Sequence, residues 1–312
     1  MTRVRTWWNA YWFSPAPLID LAVCRVLFVG FQLAWLLSPQ GLQRFRQHAA
    51  LPDALYDPLP MLHLFLLPFG WSSRPSSEVL EALYWLTVAA GIVALVGAKT
   101  RLSLALFTLG HLFLSAFQYS IGRVVHNDGL MMLALGCLAL SPSGAMLSFD
   151  STQRRQRQWS DTDPFAGWPL KLLRWLFALA YLSSALSKLQ AAGLDWVNGS
   201  TLQYYLFDTG LHKGRAIGVW LSQQHTTTVV LSWLTLLFEG TFFLVVMFPR
   251  LARVYLPLGT LFHLGTSLAM GVDFYQFIVL YAVFIPWRTV LKALARYLES
   301  VLAKVRFVAQ ST

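Results

Sequence analysis

Long apolar runs constrain this chain before anything else does. Eight follow one another, at 17–37, 79–98, 102–117, 127–141, 170–188, 228–248, 252–271 and 273–287. Most are close to the ~20 residues an α-helix needs to cross a bilayer, and 127–141 and 273–287 are the short ones. A further stretch, 60–69, is bounded by proline and reads as an interfacial or re-entrant piece. Hydrophobic residues make up 56% of the 312 and charged residues only 12%. A soluble domain carries about a quarter charged residues, and a soluble chain of this length would need far more polar surface. Inside a bilayer each backbone N–H and C=O must be satisfied within the protein, which a helix does by itself. The pattern predicts an all-α, polytopic integral membrane bundle of about eight transmembrane helices.

Lysine and arginine outnumber the acids 24 to 14, a net charge of +10. In a soluble protein that excess would suggest nucleic acid, but here it sorts by loop, and no nucleic-acid partner is expected. With eight passes, one side receives Arg3, Arg5, Lys99, Arg101, Arg154, Arg155, Arg157, Lys171, Arg174, Arg250, Arg253, Arg288, Lys292, Arg296, Lys304 and Arg306. The other side receives Arg44, Arg46, Arg74, Arg123, Lys188, Lys213 and Arg215. The positive-inside rule then places both termini in the cytoplasm. Trp7, Trp8, Tyr11, Trp12 and Phe13 form an interfacial aromatic belt before the first run, and no cleavable signal peptide is expected. Residues 1–287 form the transmembrane domain. Residues 288–312 read as a basic amphipathic helix lying on the anionic cytoplasmic leaflet, with Leu291, Leu294, Leu298 and Val301 opposite Arg288, Lys292 and Arg296. A bacterial inner membrane is the expected location. The outer loops 38–78 and 190–227 are long enough to imply function or helices of their own.

Ionisable residues inside apolar runs are costly, and each is a functional hypothesis by default. Arg25 and Glu239 sit at matching depths in the first and sixth runs, which predicts an interhelical ion pair with a structural role. Tyr181, Ser184 and Lys188 follow at spacings of three and four, so they share one helix face. Lys188 ends the fifth run near the outer surface. It is either a lysine snorkelling to the interface or a desolvated amine able to act as a base. His126, Asn127 and Asp128 open the fourth run at the same level, and His263 lies toward that side in the seventh. These histidines, with His111, show no metal-ligand spacing, and no metal is expected. Cys24 and Cys137 both lie in apolar stretches, which rules out a cysteine-rich metal or disulfide scaffold.

Several segments resemble a known family. The run Leu21-Ala22-Val23-Cys24-Arg25-Val26-Leu27-Phe28 is similar to the first helix of the horizontally transferred transmembrane (HTTM) family, the membrane domain shared with vitamin K-dependent gamma-carboxylase. His126-Asn127-Asp128-Gly129-Leu130 with Leu140-Ser141-Pro142 resembles its fourth-helix region. Ala180-Tyr181-Leu182 through Ser187-Lys188-Leu189, then Asp195-Trp196-Val197-Asn198-Gly199, resembles the segment that holds the carboxylase's base lysine. Phe262-His263-Leu264 with Met270-Gly271 resembles its late histidine helix. The matches run in order from about Trp7 to Trp287.

The resemblance implies an enzyme that uses a reduced, vitamin K-like quinone and oxygen at the extracytoplasmic side. Lys188 falls on the lysine that deprotonates the hydroquinone, and His263 on a histidine of the quinone-facing helix. The quinone would lie against Tyr181, Ser184, His126 and Asn127. Two departures weaken the carry-over: the carboxylase carries Asn-His where this chain has His126-Asn127, and its lysine usually follows another lysine rather than Ser187. The carboxylase also continues into a large lumenal region, for which this chain leaves no room after the eighth run. Carboxylation of protein glutamate is not expected unless a partner supplies recognition. The alternative is a non-enzymatic membrane subunit that aids maturation or export of a peptide or protein partner, with Lys188, Arg25 and Glu239 as clamps.

Overall fold

The computed structural model describes residues 2–60, 62, 64, 67, 74–121, 128–153 and 161–311. The principal helices in chain order are α1 (Thr2–Trp12), α2 (Leu18–Leu36), α3 (Pro39–Ala49), α4 (Ser77–Val96), α5 (Thr100–Tyr119), α6 (Gly129–Leu140), α7 (Gly167–Ala192), α8 (Ser200–His212), α9 (Ala216–Ser222), α10 (His225–Thr241), α11 (Ala252–Met270), α12 (Tyr275–Leu280) and α13 (Trp287–Ser311). The strands described are a two-residue antiparallel pair, Ala16–Pro17 with Thr162–Asp163. The fold is all-α, as expected. It divides into two compact units, Met1–Leu170 with Ile285–Thr312, and Lys171–Phe284. The C-terminal helix groups with the first unit.

In the first unit α2, α4, α5 and α6 alternate in direction. Ser76 caps α4 by accepting the Val79 N–H, and α4 ends at Gly97, whose φ of 77° is the left-handed conformation that favours glycine. The chain turns at once into α5. Its first N–H groups, from Lys99 and Thr100, donate to the Asp150 carboxylate at 2.8 Å each. A carboxylate there satisfies orphan donors and meets the positive end of the helix dipole. Gly97 lies against the Arg25 guanidinium, so a side chain at this position would collide with it. The end of the unit where α2 starts thus gathers the strand pair, the 97–100 turn, the 141–152 segment and Arg288, whose N–H donates to Asp20 Oδ1 at 2.8 Å. At the opposite end Tyr84 on α4 donates to the Leu36 carbonyl closing α2. Arg74 there donates to the carbonyls of His48, Ala49 and Leu51.

The packing is turned outward in the way lipid requires. Along α4 the buried face includes Thr87 and Gly91, while Leu86, Ile92, Val93 and Val96 are exposed. Small and polar residues let helices approach closely, and the apolar surface remains for hydrocarbon. Among the described residues four segments are long and apolar enough to cross a membrane: Leu18–Leu36, Ser77–Val96, Thr100–Tyr119 and Pro164–Asn198. A fifth counts if the bent pair Tyr275–Phe284 and Trp287–Leu302 is one span. The other expected runs are helical but shorter or more polar. α6 has 12 residues and α10 has 17. α11 has 19, with its apolar run diluted by Arg253, His263 and several hydroxyls.

In the second unit an aromatic core surrounds Phe177 on α7. Its ring centroid lies 5.3 Å from Tyr181, 5.6 Å from Phe242, 5.3 Å from Phe277 and 5.2 Å from Tyr281. Such pairs add ~0.5–1.5 kcal/mol each beyond the area they bury. Gly259 on α11 lies against Tyr281 and Phe238, where a side chain would meet both rings.

Candidate functional site

The site grows from one face of α7. Tyr181, Ser184 and Lys188 lie on successive turns, as their spacing predicts. Lys188 Nζ donates to Ser184 Oγ at 2.7 Å and to Glu239 Oε2 at 2.6 Å. Ser184 Oγ donates in turn to Glu239 Oε1 at 3.1 Å. Lysine, serine and glutamate thus close a small ring with one ion pair in it. The side chain of Glu239 is 7% exposed and that of Lys188 21%. Nζ also sits 5.3 Å above the Trp196 ring, a cation–π contact. Trp196 lies in the 3₁₀ segment Gly193–Asn198 and packs on the apolar cluster of Ala185, Val197 and Leu236. The outer end of the ring is therefore walled by apolar side chains, which strengthens its electrostatics.

Two turns back along α7, Tyr181 joins a second group. Its hydroxyl lies 2.6 Å from His263 Nε2 and 2.7 Å from the Tyr281 hydroxyl. All three are buried. The His263 ring is bordered by Phe262 at 5.2 Å, Phe274 at 5.3 Å and Phe277 at 5.3 Å between centroids. Its Nδ1 is buried and has no hydrogen-bond partner among the described residues. A buried polar atom of that kind needs a reason.

The structure brings five of the expected residues together in this unit: Tyr181, Ser184, Lys188, Glu239 and His263. It corrects the expected pairing of Arg25 with Glu239. Glu239 is taken by Lys188 and Ser184. Arg25, fully buried in the first unit, donates to the Leu147 carbonyl and feels the charge of Asp150. Matching depth points to the carboxylate but not to its cation, which is Lys188, with Nζ 2.6 Å from Glu239 Oε2. His126 and Asn127 lie outside the described residues. His111 is in the first unit, with its Nε2 2.8 Å from Gln32 Nε2. Trp196 and Tyr281 were missed. Trp196 had a signal, a tryptophan eight residues after the lysine. Tyr281 had only the weak one of a hydroxyl in an apolar run. Among the described residues no three histidine, cysteine, aspartate or glutamate side chains gather as a metal site would need.

A helical membrane protein whose lysine–carboxylate pair shares a helix face with a tyrosine–histidine group is the class that fold and site define. The chain belongs to the HTTM domain family, whose model matches residues 13–288. That match takes in every residue of both hydrogen-bonded groups. No curated protein and no solved structure matches the chain.

Proposed function

We propose that this chain is an integral membrane enzyme that uses a reduced, vitamin K-like quinone and oxygen, with Lys188 as its base and His263 beside it. The observation that carries the proposal is the stacking of two polar groups on one face of α7, Lys188–Ser184–Glu239 and Tyr181–His263–Tyr281. A purely structural clamp would need the first and have no use for the second. The residues fit a quinone on two counts. The aromatic rings around His263 suit a planar ring, and the unpartnered Nδ1 offers a hydrogen bond to an oxygen. When bound, such a group supplies an ionisable hydroxyl and a reduced ring that reacts with oxygen.

The chain's own part is proton handling. Lys188 as an ammonium is saturated by Ser184, Glu239 and the Trp196 face. It becomes a base when the Nζ proton crosses to Glu239 Oε2: one N–H bond breaks, one O–H bond forms, and an ion pair becomes a neutral amine beside a neutral acid. No buried net charge is created, which keeps the step affordable in a dry site. Ser184 holds both partners in register through the exchange. The same reading gives eight passes with both termini in the cytoplasm of a bacterial inner membrane. It is supported by the convergence of Lys99, the 141–152 segment and Arg288 on one end of the first unit.

The test is oxygen uptake by the protein in nanodiscs supplied with a reduced naphthoquinone. Uptake in the natural protein should fall about a hundredfold or more in Lys188→Met with Glu239→Gln, a pair that strands no charge. No uptake above empty discs, or equal uptake in the double variant, overturns the proposal. A second reading, a membrane subunit serving a peptide or protein partner, is favoured by the α8–α9 hairpin. Tyr204, Tyr205, Phe207, Leu211 and Trp220 are exposed there, beside a cleft of about 490 Å³ that Arg215 and Gln223 help to line. Under that reading Trp220→Ser abolishes partner recovery, and Lys188→Met with Glu239→Gln, which strands no charge, leaves it intact.

A further inference from the structure

Two helices of the first unit present uncovered apolar faces, and both are fixed to the same end of it. On α13 the exposed residues Val290, Leu294, Tyr297, Leu298, Val301 and Leu302 recur at spacings of three and four. At 100° per residue they occupy one arc, while Arg288, Lys292, Arg296 and Glu299 occupy the opposite one. On α1 the exposed Val4, Trp7 and Trp8 share a face with Tyr11, which stacks on Trp7 at 6.0 Å, and Arg5 lies to the side. Neither helix depends on its exposed face to hold its place. The start of α13 is held by the Arg288 N–H on Asp20 at 2.8 Å. The chain after α1 is held by the strand pair and by Phe13, whose ring lies 6.2 Å from that of Phe165.

We infer that α13 and α1 together form a docking surface for an anionic membrane leaflet, on the side of the first unit where α2 begins. Three properties point to a lipid surface rather than a protein groove. The apolar arc of α13 runs unbroken over the described turns, as a helix lying in an interface requires. Its polar arc is basic by three residues to one, which complements anionic headgroups. The neighbouring α1 carries tryptophan and tyrosine, the residues enriched at the headgroup level. The same end also carries Lys99 and Arg101, so the charge extends beyond the two helices.

The test uses the full chain in nanodiscs of neutral phosphatidylcholine, or with a phosphatidylserine fraction. A nitroxide is placed at Leu298→Cys on the apolar arc or Ser300→Cys off it, in a Cys137→Ser background. The readout is accessibility to oxygen against a water-soluble nickel complex. In anionic discs the label at 298 should be oxygen-accessible and nickel-protected, and that at 300 the reverse. In neutral discs the contrast should weaken. Changing Arg288, Lys292 and Arg296 to Gln should lower the docked population in anionic discs about fivefold for each charge removed. Equal contrast in neutral discs and in the triple variant overturns the anionic surface in favour of apolar insertion alone. Nickel access at both positions in both lipids overturns docking altogether. Spin–spin broadening at 298 overturns it in favour of a second copy of the chain.

Discussion

Each unit buries a histidine, and the two histidines are made almost alike. His111 and His263 both engage one neighbour through Nε2, both leave Nδ1 buried without a hydrogen-bond partner among the described residues, and both lie among aromatic rings. They differ in what the neighbour can do. Gln32 is an amide that neither gains nor loses a proton near neutral pH. Tyr181 is a hydroxyl bonded onward to Tyr281, on the helix face that carries Ser184 and Lys188. Burial of a histidine in a membrane bundle is therefore weak evidence of function. Asp128 reaches His111 only through its charge and accepts a hydrogen bond from Tyr119, so what separates the second unit is a titratable neighbour hydrogen-bonded to the imidazole itself and onward to a second hydroxyl.

The comparison breaks most visibly at the ion pair. Lys188→Met alone leaves Glu239 buried without its cation and should cost ~3–5 kcal/mol. Adding Glu239→Leu should recover most of that loss in denaturant unfolding of the purified protein. If the double variant is as unstable as the single one, the pair does not act as a unit. In the first unit Gly97→Ala should cost ~2 kcal/mol, since it meets the Arg25 guanidinium and forces a left-handed φ on a residue with a Cβ. Unfolding midpoints measure this, and an unchanged midpoint refutes the contact. His263→Phe and His111→Phe set the two histidines side by side. Each should change stability by ~1 kcal/mol, but only the former should abolish retention of a naphthoquinone in equilibrium dialysis. Equal effects would erase the distinction drawn between the units.

The smallest expected effect concerns His48, outside the spanning segments. Burial first, and then Arg44, hold its imidazole below the usual range. The folded protein thus binds this proton less readily than the unfolded chain does. His48 favours folding above pH ~6.5, and that contribution fades as pH falls through the depressed folded value. His48→Asn should flatten this acid limb and leave stability at pH 8 nearly unchanged.

Much of this was legible in the sequence, for physical reasons that also explain the rest. α2, α4, α5 and α7 announce themselves because a long apolar run has few alternatives to a helix. The run at 228–248 signals only through Gly240 that α10 stops at Thr241 and resumes as Leu244–Met247, since the break itself falls on Phe242 and Phe243. The stripe of Tyr181, Ser184 and Lys188 is visible because one helix sets its own periodicity. The partner of Glu239 is not, because depth along a helix says nothing of rotation about it. Depth suggests Arg25 as that partner, whereas the rotation of α7 and α10 brings Lys188 Nζ to 2.6 Å from Glu239 Oε2.

The bond between the Arg288 N–H and Asp20 joins residues 268 positions apart. During synthesis at about 5–20 residues per second, Asp20 emerges on the order of ten to fifty seconds before its donor exists. For that interval the first transmembrane helix has a carboxylate at its entrance with one of its final partners still unmade. Closing this clasp is an event that only a chain translated past Arg288 can perform. A quality-control factor reading the entrance of α2 would thereby distinguish chains that have reached Arg288 from shorter nascent ones.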